Sequence, residues 1–271
     1  MLLIGPGRVI TRDPENPMLE DGAVLTEGRT IKEIADFEDL KARYPEAEIV
    51  RSEGQLILPA FINTHHHIYS AFSRGLALKG YAPENFLDVL EGMWWRIDNH
   101  LNLKDSRASA AAVYLACIRN GVTTIFDHHA SYCATEGSLE VIAEEALRWG
   151  VRSCLCYEIS DRNGEAETKK AIAENFRFAR EAKKDPEHLA GLIGLHASFT
   201  LSDETMEAIA AENTDKIGYH VHVAEGVLDQ ELCLKEHGER VVPRLLRYGV
   251  LNKDSVAGHC VHVTEEEKDL L

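Results

Sequence analysis

The chain has 271 residues, of which 45% are hydrophobic and 27% charged, with a formal net charge of −16. This composition is ordinary for a soluble globular protein with one large domain, alone or beside a smaller one. Its acidic excess, without a Lys/Arg stripe, argues against nucleic acid as a partner, and no apolar run approaches the roughly 18–20 residues of a membrane span. The first residues also lack the features of a secretory signal, so a cytoplasmic location is expected.

Residues 1–57 are predicted to form a small β-rich unit. Short β-like runs alternate there with turns that contain Gly, Pro and Asp. One short helix is expected within "FEDLKARYP" (37–45).

From residue 58 onwards, apolar runs alternate with amphipathic helical patterns. The apolar runs are typical of buried parallel strands. Strand starts are expected near residues 57, 122, 152, 190, 217 and 255. This spacing predicts an α/β fold, either a (β/α) barrel or a doubly wound sheet. No GxGxxG motif follows a strand, so dinucleotide binding has no support.

Histidines stand at the end of the first expected strand. In "NTHHH" (63–67), residues two apart share a face, so His65 and His67 point together while His66 points away. An H-x-H pair is a compact chelate for a divalent metal, and imidazole suits zinc or iron. Cysteine ligands are not expected, because most of the six cysteines lie in apolar segments and none forms a CxxC pair.

Three further strand ends carry histidines. His222 ends "YHVHV", and Glu225 follows three residues later; His196 and His259 end two other strands. A carboxylate beside a metal can take a proton from water and pass it to a leaving group. In a parallel barrel the C-terminal strand ends form one rim, so these side chains are expected to converge.

The motifs "LPAFINTHHH", "GVTTIFDHH", "LHASFT", "HVHVAE" and "GHCVH" resemble those of the amidohydrolase superfamily. The likeness is greatest to its deaminase/chlorohydrolase branch, and there to the SsnA-type aminohydrolases. The resemblance implies a TIM-type (β/α)8 barrel over residues 58–271, with residues 1–57 as the N-terminal half of a small β-sandwich.

The resemblance also implies the metal ligands and the catalytic groups. His65, His67 and His222 would bind the metal. Glu225 would be the proton shuttle, and His259 would polarise the substituent of the attacked carbon or hold the hydrolytic water.

Three residues would contact the substrate by the same resemblance: His196, Asp98 and Trp95. Binuclear relatives bridge two metals with a carbamylated lysine on strand 4, and "AGLIGLH" (190–196) has no lysine. One divalent metal is therefore expected, zinc in the first place and iron as the alternative.

The resemblance also raises a difficulty. The remaining ligand in the family is an aspartate after strand 8, whereas only six strand candidates follow residue 58. The barrel is therefore expected to be incomplete at its C-terminus, with a missing segment or a second copy of the chain completing it.

Two classes of function remain open. The first is a metal-dependent hydrolase of C–N bonds other than peptide bonds, which deaminates an amino-substituted heterocycle such as a purine or pyrimidine, with chlorohydrolase-type dehalogenation as a secondary alternative. The second is an inactive fragment, pseudoenzyme or binding subunit. The small-molecule substrate itself is not specified by the motifs.

Overall fold

Two units of different architecture make up the chain, Met1–Phe61 and Ile62–Leu271. The computed structural model describes every residue from 1 to 271. None of the helices combines the length and the apolarity that a bilayer crossing would require.

The first unit is a five-stranded mixed sheet with one helix. β1 lies at its centre, antiparallel to β2 and parallel to β4 and β5, and β3 extends the sheet beyond β2. The predicted short helix is present as α1, whose first turn is capped by the Asp36 carboxylate. The elements are β1 (Leu2–Ile10), β2 (Met18–Glu27), β3 (Thr30–Asp36), α1 (Phe37–Arg43), β4 (Glu48–Val50) and β5 (Leu56–Ile57).

The second unit alternates strands and helices, as the apolar periodicity predicts. Its elements in chain order are β6 (Phe61–His66), α2 (Phe86–Val89), α3 (Trp95–Asp98), α4 (Leu103–Arg119), β7 (Val122–His129), α5 (Ser138–Trp149), β8 (Arg152–Tyr157), α6 (Glu165–Ala182), β9 (Leu189–Gly191), β10 (Ile193–Ala197), α7 (Asp203–Glu212), β11 (Tyr219–Val223), α8 (Val227–His237), α9 (Val241–Arg247), β12 (Val256–His259) and α10 (Glu265–Lys268).

The strands of this unit follow one another in space as they do in the chain. One sheet has the order β6-β7-β8-β9 and the other β10-β11-β12, with parallel pairing along β7-β8-β9 and along β10-β11-β12. Only Leu192 separates β9 from β10, and a parallel bridge between Ile159 and Leu195 joins the two sheets. The six predicted strand positions are therefore present, the fourth as a broken strand.

The side chains of β11 alternate between two faces of the strand, one with valines in the apolar core and one with histidines. Val221 and Val223 are fully buried in the apolar core between strands and helices. His220 and His222 stand at the intervening positions, and residues two apart in a strand face the same way. The core therefore fixes the direction in which these imidazoles point.

One predicted boundary is wrong. The first strand of the larger unit begins at Phe61 rather than near 57, because Leu56–Ile57 pairs with β1 in the other sheet. α4 is capped by Asn102. Asn102 accepts from the backbone of Asp105, whose carboxylate accepts from the Asn102 N–H, and this reciprocal pair satisfies two unpaired donors.

Candidate metal and catalytic site

A cavity of about 400 Å³ lies at the carboxyl ends of the parallel strands. All eight side chains predicted for the site line it, so residues almost two hundred positions apart in the chain meet there. The lining residues are His65, His66, His67, Tyr69, Ser70, Phe86, Leu90, Trp94, Trp95, Asp98, Glu158, His196, His222, Glu225 and His259.

The three predicted metal ligands form a compact group. Ligand atoms of His65, His67 and His222 all lie within 4.8 Å of one another. The Nε2 atoms of His67 and His222 are 3.3 Å apart. Two imidazole nitrogens that bind one tetrahedral zinc at about 2.0–2.1 Å are separated by about 3.3 Å, so this pair fits such an ion.

The outer nitrogens of the same two rings explain why the pair faces inward. Nδ1 of His67 donates to the carbonyl of His128 at 2.8 Å, and Nδ1 of His222 donates to the carbonyl of His196 at 2.8 Å. A carbonyl only accepts, so in the neutral form of each ring Nε2 carries the lone pair. Two facing lone pairs repel unless a cation or a proton lies between them.

The third ring, His65, is held by another histidine. Its Nδ1 lies 2.7 Å from Nε2 of His220, and its own Nε2 is buried without a partner. Burial first, and then the neighbouring imidazoles, lower the pKa of His65 to about 3. Burial also lowers the pKa of His222 well below its usual range. Both rings are therefore neutral, which is the form that binds a metal.

His128 adds a fourth inward-facing nitrogen that the motifs did not assign. Its Nε2 donates to the carbonyl of Leu195 at 3.0 Å, which leaves Nδ1 as a buried lone pair without a partner, 4.0 Å from Glu158. Donor atoms of His128, Glu158 and His222 also lie within 4.8 Å of one another. We call His65, His67, His128, His220 and His222 the histidine cluster.

Sequence reasoning missed Glu158 and Arg162, which accompany Asp98 beside the cluster. Arg162 donates to both carboxylate oxygens of Asp98, at 3.3 and 2.7 Å, and to Glu158 at 2.8 Å. Burial raises the pKa of Asp98, against the lowering effect of the guanidinium. One cation thus serves two buried carboxylates, and a divalent metal nearby would compensate the remaining negative charge.

The predicted substrate contact Asp98 is consequently already bound on both oxygens. The usable signal for Glu158 was its position directly after the apolar strand "RSCLCY", the same kind of place that the histidines occupy. Its partner Arg162 lies in a short 3-10 turn (Asp161–Asn163), where no periodic pattern marks it.

Glu225 and His259, which we call the rim pair, lie at the open edge of the cavity. His259 Nε2 is 3.4 Å from a Glu225 carboxylate oxygen, and the two side chains are 27% and 38% exposed. The His259 ring stacks on His222 at 5.4 Å between centroids. The rim pair therefore touches both solvent and the histidine cluster.

Aromatic rings form part of the wall of the cavity. The Trp95 ring lies 6.1 Å from His196, edge to face, and its buried Nε1 has no hydrogen-bond partner. His196 is held by Thr200, whose hydroxyl is 2.8 Å from Nδ1. Trp94 and Phe86 continue this wall. Flat apolar surfaces of this kind suit an aromatic ring.

Phe86 approaches the loop of the rim pair closely. A methyl group at Gly226 would lie 2.8 Å from Cδ1 of Phe86, which is closer than real side-chain atoms come. The absence of a side chain at Gly226 therefore lets the aromatic wall meet the residue that follows Glu225.

Comparison with protein families gives two matches. The Amidohydrolase family matches residues 56–271. An imidazolonepropionase-like composite domain of bacteria matches residues 22–47. Among curated proteins, a 5-methylthioadenosine/S-adenosylhomocysteine deaminase of Bacillus cytotoxicus is 24% identical over 267 residues. The match covers 97% of this chain and 59% of that deaminase, so the chain spans little more than half the length of this relative.

Two solved structures share the fold. Guanine deaminase from E. coli superposes with a TM-score of 0.83 at 21% identity, covering 99% of this chain and 65% of that one. A zinc complex of atrazine chlorohydrolase from Arthrobacter aurescens gives a TM-score of 0.82 at 23% identity, covering 100% and 63%. At these identities the likeness shows an amidohydrolase-type α/β fold.

Proposed function

This chain belongs to the amidohydrolase family, and we propose that it supplies the metal-binding and proton-transferring side chains of a hydrolytic aminohydrolase. The substrate class would be an amino-substituted heterocycle such as a purine or pyrimidine. The observation that carries the proposal is the pair of facing lone pairs, Nε2 of His67 and Nε2 of His222, 3.3 Å apart beside Glu225 and His259.

In the proposed site His65, His67 and His222 hold one divalent metal. Three nitrogen donors favour zinc, with iron as the alternative. Such an ion lowers the pKa of a water molecule and so makes it a nucleophile at neutral pH. The zinc-bound structural relative supports the choice of metal for the family fold.

The chain's own residues then direct the protons. Glu225 takes one proton from the attacking water while the water oxygen bonds to the ring carbon. His259, 3.4 Å from Glu225, polarises that carbon's substituent. Glu225 returns the proton to the exocyclic nitrogen, the C–N bond breaks, and ammonia leaves from a ring that now carries oxygen.

The walls of the cavity would position the ring. Trp95 and Phe86 offer flat faces, and His196 would contact a polar ring atom. For Asp98 we propose an indirect contribution, because both of its oxygens are occupied by Arg162. The names of the deaminase relatives support an amino-substituted ring as substrate.

We extend the proposal to the fold. The six parallel strand positions would belong to a (β/α)8-type barrel, and residues 1–57 to a small β-sandwich. Support comes from the strand order, which follows the chain, and from the mixed sheet of the first unit.

The proposal is tested by metal content and ammonia release together. Plasma mass spectrometry on the purified full chain should find about one equivalent of zinc or iron, lost in His67→Ala. Ammonia release from a panel of aminopurines and aminopyrimidines should fall by about 10²–10⁴-fold in Glu225→Gln, because a positioned acid/base contributes about that much. The Glu225→Gln protein should keep its metal.

Other outcomes identify which part of the proposal fails. Metal that survives His67→Ala would reject the ligand set. Undiminished turnover in Glu225→Gln would reject the proton shuttle. A metal-loaded chain without turnover on any ring would favour the binding-subunit alternative.

A further inference from the structure

Two loops lie next to cavity groups that must keep a fixed separation. The loop after β10 begins two residues beyond His196, which is in the strand, and the loop after β11 contains Glu225. Pairing between β10 and β11 ends at Ala197 and His222, so it does not fix the positions of the two loops beyond the strands.

One buried carboxylate joins the two loops. Asp229 lies in the first turn of α8 and is only 3% exposed. One of its oxygens accepts from the Phe199 N–H at 3.1 Å, and the other accepts from the Ala224 N–H at 3.0 Å. Both of its oxygens are thus bound to backbone, one in each loop, and neither is free for a ligand.

Ala224 is also hydrogen-bonded to a third loop. Its carbonyl accepts from the His262 N–H at 2.9 Å, three residues after His259. Ala224 itself has a φ of +48°, a left-handed conformation that costs a residue with a Cβ roughly 1–2 kcal/mol. Such a conformation persists only where surrounding bonds enforce it, and the Asp229 carboxylate is one of them.

We propose that Asp229 is a positioning residue that holds the loop after β10, just beyond His196, and the loop of Glu225 at a fixed separation. The proposal rests on the proposed function for its catalytic consequence, but the mechanical link does not depend on turnover. Asp229 touches no reacting atom in this arrangement and acts only through the two backbone amides.

Hydrogen–deuterium exchange on the full chain tests the link without any assay of activity. Asp229→Ala removes both acceptors, so peptides covering residues 197–203 and 222–227 should both exchange at least about tenfold faster. Asp229→Asn keeps one acceptor oxygen and should release only one of the two segments. Glu231→Gln, an exposed acid on the same helix, is the matched control and should change neither.

Faster exchange in one segment only for Asp229→Ala, or in neither, would overturn the proposal. So would a uniform increase over the whole chain, because it would mean general destabilisation. Asp229→Asn guards against a variant that does not fold, since it preserves the shape of the side chain.

The catalytic consequence is measured as turnover per bound metal ion. In Asp229→Asn we expect kcat to fall at least about tenfold, with metal content and KM within about threefold of the unchanged chain, because misplaced reacting groups slow the chemical step. A fall in kcat that only follows lost metal would reject positioning. If the unchanged chain releases no ammonia, the proposed function fails. The hydrogen–deuterium exchange result still decides whether Asp229 holds the two loops together.

Discussion

The histidine cluster and the rim pair adjoin one cavity, which His65, His67 and His222 line together with the rim pair, but the two groups are held very differently. His128, His220 and His222 are buried to 5% exposure or less, and each uses one ring nitrogen on a carbonyl or a neighbouring imidazole. Glu225 and His259 are 38% and 27% exposed, and the contact between their side chains is 3.4 Å long. These three imidazoles of the cluster are enclosed by the protein, whereas the rim pair is accessible.

This difference matches two chemical tasks. A metal site needs neutral nitrogens at fixed separations. Burial keeps the imidazoles neutral by lowering their pKa values, and hydrogen bonds to the other ring nitrogens hold the rings in place. Proton transfer needs groups that can reach solvent and change their charge. The comparison predicts that changes near the cluster alter stability and metal binding, while changes at the rim alter turnover.

The largest expected effect on stability is at Arg162, beside the cluster. Arg162→Met leaves Asp98 and Glu158 buried without a cation, so the free energy of unfolding should fall by about 3–5 kcal/mol. Urea denaturation of the metal-free protein measures this. Arg148→Met is the control, because Arg148 is 73% exposed and should change stability by no more than about 0.5 kcal/mol.

A second variant decides the cause of that loss. Asp98→Asn in the Arg162→Met background removes one unpaired charge and should restore at least about 1 kcal/mol. No recovery would mean that Arg162 acts by packing on Trp95 and Tyr132, whose rings lie 5.0 and 4.6 Å from its guanidinium.

An intermediate effect is expected from pH at Asp229, whose carboxylate accepts from the N–H of Ala224, next to Glu225 of the rim pair. Burial raises the pKa of Asp229 to about 6. Because the folded-state pKa exceeds the unfolded one, the stabilisation is present below about pH 4 and is lost as pH rises through 6. The loss amounts to about 3 kcal/mol for a shift of about two units.

Asp229→Asn does not titrate, so it isolates this contribution. The unfolding free energy of the unchanged chain minus that of Asp229→Asn should fall by about 3 kcal/mol between pH 4 and 7, measured with a chelator present. A difference independent of pH would show that Asp229 is as readily ionised in the folded chain as in the unfolded one.

The smallest effect is expected at the rim. His259 has a φ of +68°, a region in which asparagine is among the best tolerated residues. His259→Asn should therefore change the free energy of unfolding by no more than about 0.5 kcal/mol. The matched change in the cluster, His128→Asn, removes a buried ring and should cost about 1–3 kcal/mol. Equal costs at the two positions would remove the distinction between cluster and rim.

Sequence periodicity was sufficient to predict the strands and the directions in which their histidines point. Alternation in "YHVHV" places His220 and His222 on one side, and parallel strands bring their ends together, so convergence with His65 and His67 follows. The structure places all eight predicted residues around one cavity. Their chemical roles remain predictions.

Contacts between distant segments outside the strand ends could not be predicted from the sequence. Asp98 and Arg162 are 64 positions apart, and neither local pattern indicates the other. No helix was predicted in residues 68–98, which form a 3-10 turn and a helical run with a central π-helical stretch, Leu90–Trp94. Some of their apolar residues, such as Phe86 and Leu90, line the cavity, while Ile68 packs in the apolar core, so no single period describes them.

The close approach of Gly226 and Phe86 constrains how such a site can diverge. Any side chain at position 226 collides with the ring of Phe86 while that ring keeps its place. Position 226 can therefore vary only if the ring of Phe86 moves or a smaller residue stands at position 86, whereas position 86 can shrink on its own. Mutational paths that reshape the aromatic wall are thus biased towards one order, and a library that varies both positions together should be enriched, among changes at 226, in those combined with a reduced residue at 86.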